Sequence, residues 1–190
     1  MTVLFSAHSL SHSIDGNDIF TDMSFDVKTG TITEIRGDNG SGKSSLLKIL
    51  CGLIKSNSLD VQQDVIGDIS YLGHSNAMVE EMSFRQNFAM DGKTIDKVLA
   101  QRLNIFRLRN QKLNNLSYGE KRKIALQRAL QSGKRIWIFD EPFAGLDDNS
   151  VATLESIFSE HVKEAGTIVV ANHQQIISNS NIINMEKSYA

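Results

Sequence analysis

The chain is expected to fold as an α/β protein with a mostly parallel central sheet, an antiparallel β part at its N-terminus and a helical insertion. Strand-like apolar segments alternate with stretches whose apolar residues recur every three or four positions. One segment, Ile136-Trp137-Ile138-Phe139, is apolar without interruption, as a parallel strand covered on both faces must be. The octapeptide GDNGSGKS, Gly37 to Ser44, fits the phosphate-cradling pattern G-x-x-x-x-G-K-[ST] and lies between a strand pattern and a helix pattern.

From the N-terminus, residues 2–36 read as short strands and turns, with Asp15-Gly16-Asn17 as a turn and Met23 to Val27 as an alternating strand. Thr31 to Ile35 alternates as the strand that enters the phosphate loop. In that loop Gly37, Gly40 and Gly42 keep side chains out of the way of backbone N–H groups that wrap phosphate oxygens. Lys43 supplies a point charge to the β/γ-phosphates, Ser44 can ligate Mg²⁺, and the next helix directs its positive end at the anion. That helix buries Leu46, Leu47, Ile49 and Leu50 and can end at Gly52. Lys55 to Asp68 is polar and turn-like, and Ile69 to Leu72 is a strand ending at Gly73-His74. Met82 to about Arg109 reads as helical, with Ile95, Val98, Leu99, Leu103 and Phe106 on one buried face. A further helix begins near Gly119 with Ser117 as its cap, and another runs from Ser150 until Gly166 stops it. Thr167 to Ala171 is the next buried strand, and the helical insertion covers about residues 75–132.

At 190 residues there is room for one well-filled core, so residues 1–190 are expected to form one nucleotide-binding domain. The net charge of −2 gives no general reason to bind nucleic acid. Residues 93–135 nevertheless hold 12 of the 20 Lys and Arg, against only Asp96 and Glu120 as acids. That basic middle faces either anionic lipid or an acidic partner, or is simply solvated helix surface. Cys51, the single cysteine, excludes an internal disulfide and a Cys-based metal site, and is expected in the core. No apolar run approaches the roughly 20 residues of a membrane helix, so the chain is expected to be cytosolic or held at a membrane by a partner.

The buried strand over residues 136–139 ends in Asp140-Glu141, at the carboxyl end where an open α/β sheet presents its site. Beside a phosphate loop, Asp140 suits a Mg²⁺ partner acting through water, and Glu141 suits the carboxylate that polarises an attacking water. The bland alternative for Glu141 is a turn carboxylate before Pro142. Leu116-Ser117-Tyr118-Gly119-Glu120, taken alone, is a helix start with a capping box.

In their order along the chain these segments resemble the ABC (ATP-binding cassette) ATPases. Gly37 to Ser44 is similar to their Walker A loop and Ile136 to Glu141 to their Walker B strand with its catalytic Glu. Leu116 to Glu120 resembles the LSGGQ signature, departing at Tyr118 and Glu120, while Gly145-Leu146-Asp147 resembles the D-loop and His173 the switch His. The resemblance implies a P-loop NTPase fold of ABC type, and it implies ATP and Mg²⁺ as ligands. Gly37, Asp38, Asn39, Gly40, Ser41, Gly42, Lys43, Ser44 and Ser45 would surround the phosphates, Ser44 and Asp140 would hold Mg²⁺, and Glu141, His173 and Lys43 would serve hydrolysis. It also implies a second copy packed head to tail, so that Ser117, Tyr118, Gly119 and Glu120 of one copy close the site of the other.

His74 stands where most such ATPases carry the Q-loop Gln, and Gly73-His74 resembles the haem-exporter ATPases of cytochrome c maturation. That likeness implies integral membrane transporter subunits as partners and a peripheral place on the cytoplasmic face of the inner membrane. Ile14, with His12 nearby, replaces the aromatic residue that commonly stacks on adenine. Met78, Met82, Phe84, Phe88 and Met90 either line a groove for a partner's coupling helix or form the insertion's own core. An ATPase for another cargo and a soluble mechanoenzyme on ribosomes or DNA are the rivals, though the latter usually carries tandem cassettes or coiled-coil inserts. A small kinase or GTPase would leave Ser117-Tyr118-Gly119 without purpose, and a module that only holds ATP would not need Glu141 and His173.

Overall fold

The computed structural model describes residues 2–172 and 177–185. Two 12-residue strands, β1 (Val3–Ile14) and β2 (Asn17–Lys28), form an antiparallel hairpin around the turn Asp15-Gly16, and β4 (Leu59–Val61) pairs with the outer side of β1. A second sheet of five parallel strands has the order β5, β6, β7, β3, β8. Its members are β3 (Ile32–Gly37), β5 (Ile69–Leu72), β6 (Ile136–Asp140), β7 (Thr167–Ala171) and β8 (Asn181–Met185). Helices α1 (Lys43–Leu50), α2 (Phe84–Met90), α3 (Lys97–Arg102), α4 (Tyr118–Leu130) and α5 (Asp148–Lys163) complete the described fold.

Alternation along β6 and β7 explains their unbroken apolar character. Ile136 and Ile138 join Val169 and Ala171 in a core shared with Leu46, Leu47 and Leu50 of α1. Trp137 and Phe139 join Ile168 and Val170 in a second core with Ile124 and Leu126 of α4 and Leu154 and Phe158 of α5. With a helix layer on each face, every side chain of these strands is buried, each large one contributing about 1.5–3 kcal/mol. The antiparallel sheet packs on the α1 side through Phe5, Leu10 and Phe20.

Several expectations are corrected by tertiary context. The N-terminal strands are long, their length broken by bulges rather than turns. Residues 82–109 hold two short helices and 3-10 turns instead of one helix, because Gly92 at φ +67° and Asn104 at φ +55° break the path. Val98, 68% exposed, is off the buried face. Phe84 and Phe88 are wholly buried against each other at 4.9 Å, so the aromatic part of the proposed docking groove belongs to the core, and Met90 is exposed. The left-handed residue after α5 is Ala165 at φ +63°, not Gly166. Gly166 is required for a different reason: a Cβ there would lie 2.3 Å from Nε2 of His161, whose ring stacks on Trp137 at 3.5 Å. Strand β8 was not legible in the sequence at all. In the basic middle, Arg102, Arg107, Lys121, Lys123, Arg128 and Arg135 face carboxylates, which favours intramolecular pairing over a free cationic surface.

Cys51 follows α1 and sits at the border of an apolar cavity of about 470 Å³. Burial pushes its thiol from 9.0 to about 12, since the anion would lose its hydration there. Folding therefore favours the neutral thiol, and that contribution is lost as pH rises above the unfolded value of 9.0 towards the folded one. At pH 8 the folded chain should be alkylated by iodoacetamide about 10³-fold more slowly than the chain in urea, a ratio set by thiolate fraction. Equal rates in the two states would show that Cys51 is not shielded.

Candidate active site

The loop from Gly37 to Gly42 connects the carboxyl end of β3 to the start of α1. Gly42 caps the helix at φ +95°, and a Cβ there would lie 2.6 Å from Ile19 and 2.9 Å from the Phe20 ring. Only glycine tolerates both the left-handed backbone and the approach of β2. On the other side, a Cβ at Gly37 would lie 2.4 Å from the Met185 carbonyl of β8. The loop is thus clasped between the two sheets, with Asp38, Asn39, Gly40 and Ser44 exposed and Ser41 buried. The first-turn N–H groups of α1, Ser44 and Ser45 among them, have no intrahelical acceptor. The Ser41 hydroxyl is buried with no partner among the described residues.

Lys43 folds back, its ammonium donating to the carbonyls of Gly37 at 2.7 Å and Asp38 at 2.8 Å. Burial is the largest influence and lowers its pKa, while Glu141, Asp140 and Asp38 oppose that shift. Lys43 therefore lies in the electrostatic reach of the two acids at the end of β6. Asp140, 3% exposed, borders with Ser44, Lys48, Tyr71 and His74 one cavity of about 940 Å³. Glu141 has φ +50°, a strained value for a non-glycine residue, and its N–H donates to the Ala171 carbonyl at 2.9 Å. Its carboxylate Oε2 lies 3.6 Å from Nδ1 of the exposed His74. The structure thus brings together the phosphate loop, Asp140, Glu141 and His74.

Ser117 and Glu120 form the capping box of α4: the Ser117 hydroxyl accepts from the Glu120 N–H at 3.2 Å, and Glu120 accepts from the Ser117 N–H at 3.1 Å. That backbone N–H is the largest cause holding the Glu120 carboxyl below its ordinary pKa, with Arg107 adding to it. A Cβ at Gly119 would lie 2.3 Å from the Gly145 carbonyl, while the Tyr118 ring covers Gly145, so the two loops touch through glycines. Asp147 caps α5 by accepting from the Ser150 N–H at 2.9 Å and faces Lys123 at 3.6 Å. Tyr118, Gly119 and Asp147 share one junction, and they do not line the cavity beside Ser44. Ile14 ends β1, 48% exposed, and does not border that cavity either. His173 lies outside the described residues.

Arg122 escaped the sequence reading. It is 0% exposed, and its guanidinium donates to the Gly73 carbonyl and the Asn76 side-chain oxygen at 3.0 Å each, to the Glu141 carbonyl at 3.0 Å, and to the Asp140 carbonyl. The available signal was its spacing: it shares an α4 face with Ala125, Leu126 and Ala129, where a cation is out of pattern.

The ABC transporter family profile matches residues 20–144, from β2 through the phosphate loop, α4 and β6 to the turn after Glu141. The chain belongs to the ABC transporter family. Among its relatives, a Colwellia psychrerythraea protein named cytochrome c biogenesis ATP-binding export protein CcmA is 32% identical over 193 residues, spanning 93% of this chain and 88% of the relative. The Brucella abortus protein of the same name is 34% identical, over 88% of this chain and 84% of the relative. The fold is similar to the solved ATP-binding subunit of an ABC transporter, with a TM-score of 0.81 at 18% identity over 98% of this chain and 88% of that one. It is also similar to the ATP-binding cassette MJ0796 in a dimeric post-hydrolysis state bound to ADP and Pi, with a TM-score of 0.79 at 18% identity over 98% and 97% of the two chains.

This ABC cassette is an ATP-binding subunit and an ATPase whose hydrolysis is coupled to transport. The capping box at the head of α4 can be tested apart from turnover. Ser117→Ala should lower unfolding free energy by about 1 kcal/mol in urea denaturation, because it leaves the Glu120 N–H without its acceptor. No change in midpoint would mean the cap contributes nothing.

Proposed function

We propose that residues 1–190 act as one nucleotide-binding domain that powers a haem-exporting complex in c-type cytochrome biogenesis. The observation that carries this reading is the set of relatives named as cytochrome c biogenesis export proteins, similar over most of the chain. The dipeptide Gly73-His74, placed beside Glu141, supports it. The alternative is an ABC ATPase serving another cargo on the same engine.

In this reading the N–H groups from Asp38 to Ser45 hold the phosphates, and Lys43 turns from the Gly37 and Asp38 carbonyls to the β/γ-phosphates. The residues fit Mg²⁺: Ser44 and Asp140 border one cavity, and among the described residues no group of three or more His, Cys, Asp or Glu side chains could hold an ion alone. Ser44 would ligate Mg²⁺ and Asp140 would hold it through water, and the ion would neutralise developing charge on the phosphoryl group. Glu141 orients and polarises the attacking water, with His173 assigned to the γ-phosphate from the segment after β7. Ser117, Tyr118, Gly119 and Glu120 close the site of a second copy, each charge-assisted contact to the γ-phosphate contributing about 1.5–3 kcal/mol. Hydrolysis removes that bridge, and the pair opens. How Ile14 meets the adenine is left to weak apolar contact.

The relatives' names as ATP-binding export proteins support integral membrane subunits as partner chains and a peripheral place for this chain on the cytoplasmic face of the inner membrane; no described helix is long and apolar enough to cross a membrane. With Phe84 and Phe88 in the core, the docking surface in this reading is the exposed His74, Ser75 and Ala77, beside the half-buried Met78 and the Glu80–Lys121 pair. In cells lacking the chain, haem-stained c-type cytochromes should fall at least tenfold, with rescue by the wild type and none by Glu141→Gln. The Glu141→Gln chain, extracted with ATP, should bring down integral membrane subunits and a second copy of itself. Recovery of ribosomes or DNA instead would overturn the transporter assignment, and normal cytochrome staining would leave only the alternative cargo.

A further inference from the structure

A buried guanidinium normally faces a carboxylate, because removing the cation from water is costly unless it is paired or fully hydrogen-bonded. Arg122 faces none among its hydrogen-bond acceptors. They are three main-chain carbonyls and one side-chain amide, drawn from the loop after β5 and from the turn that ends β6. Its Nε has no partner among the described residues, so the side chain is committed through its two terminal nitrogens alone. The two sets of acceptors lie 46–49 and 18–19 positions from Arg122 in the chain, which no local preference could bring together.

The consequence is geometric. One terminal nitrogen, Nη1, holds Gly73 and Asn76, the residues that bracket His74, and the other, Nη2, holds the carbonyls of Asp140 and Glu141. Glu141 sits at φ +50°, a left-handed conformation its side chain disfavours, so something must hold the turn. The bond from Nη2 to its carbonyl and the bond from its own N–H to Ala171 grip the residue from both sides. Arg122 is itself rooted in the second turn of α4, the helix headed by Ser117 and Gly119.

We propose that Arg122 is a positioning residue for hydrolysis: its planar fork fixes the Glu141 turn against the loop carrying His74 and ties both to the signature helix. This rests on the reading of Glu141 as the carboxylate that polarises water. Lysine would keep the charge but, as a point donor, could not span both sets of carbonyls. A displacement of the carboxylate by about 1 Å is enough to cost on the order of 100-fold in rate, while the phosphate loop and its affinity for nucleotide stay as they were.

Steady-state ATPase activity, equilibrium ATP binding and thermal melting of the 190-residue chain, compared for wild type, Arg122→Lys, Arg122→Gln and Glu141→Gln, test this. The expected result is a kcat at least tenfold lower in Arg122→Lys with KM and ATP affinity within twofold of wild type, and an equal or larger loss in Arg122→Gln. Should Arg122→Gln fail to fold, the lysine variant decides. Wild-type kcat in a folded Arg122→Lys, or kcat and KM worsening together with a lowered melting midpoint, would overturn the positioning role while leaving Glu141 in place. Wild-type turnover in Glu141→Gln would instead remove the reading beneath it and this proposal with it.

Discussion

β6 runs through the parallel sheet with both of its faces covered, and most of the molecule's organisation follows from that constraint. Ile136 and Ile138 must match α1 and the antiparallel sheet, while Trp137 and Phe139 must match α4 and α5. Because all five strands run parallel, their carboxyl ends share one edge of the sheet. The phosphate loop leaves β3 there, Asp140 and Glu141 end β6 there, and His74 follows β5 there. Residues more than sixty positions apart meet because the connections between parallel strands must cross over a face and return.

Charge at that edge is handled by oriented carbonyls. Lys43 and Arg122 are both buried cations, and in this structure their hydrogen-bond acceptors are main-chain and amide oxygens. For Lys43 the two carbonyls belong to its own loop. For Arg122 the acceptors belong to two separated segments, the loop after β5 and the end of β6. One cation is thus held within a single loop, whereas the other ties two distant segments together. Surface pairs such as Arg102 with Glu160, which bridges α3 and α5, add little energy but orient the insertion helices on the core.

Much of the candidate site was legible because its signals are local. The phosphate loop is eight consecutive residues, and the capping box at Ser117 and Glu120 spans three positions. The strand that ends in Asp140-Glu141 announces itself by its apolar run. The misses have a common physical origin. Gly166 looked like a helix stop, yet its small size serves the His161 ring stacked on Trp137. Phe84 and Phe88 could have been surface or core by periodicity alone, and their packing against each other placed them inside.

The sequence by itself determined the glycine-rich loop before α1, the apolar run of β6 with the two acids at its end, and the Ser117 cap of α4, since each depends on residues within a few positions of one another. Tertiary structure alone decided that β8 closes the sheet beside β3, that β2 and β8 clasp the phosphate loop, and that Arg122 joins the ends of β5 and β6. Those contacts link groups brought near only by strand registry and helix packing. Their strength depends on ångström-scale distances that no spacing along a chain encodes.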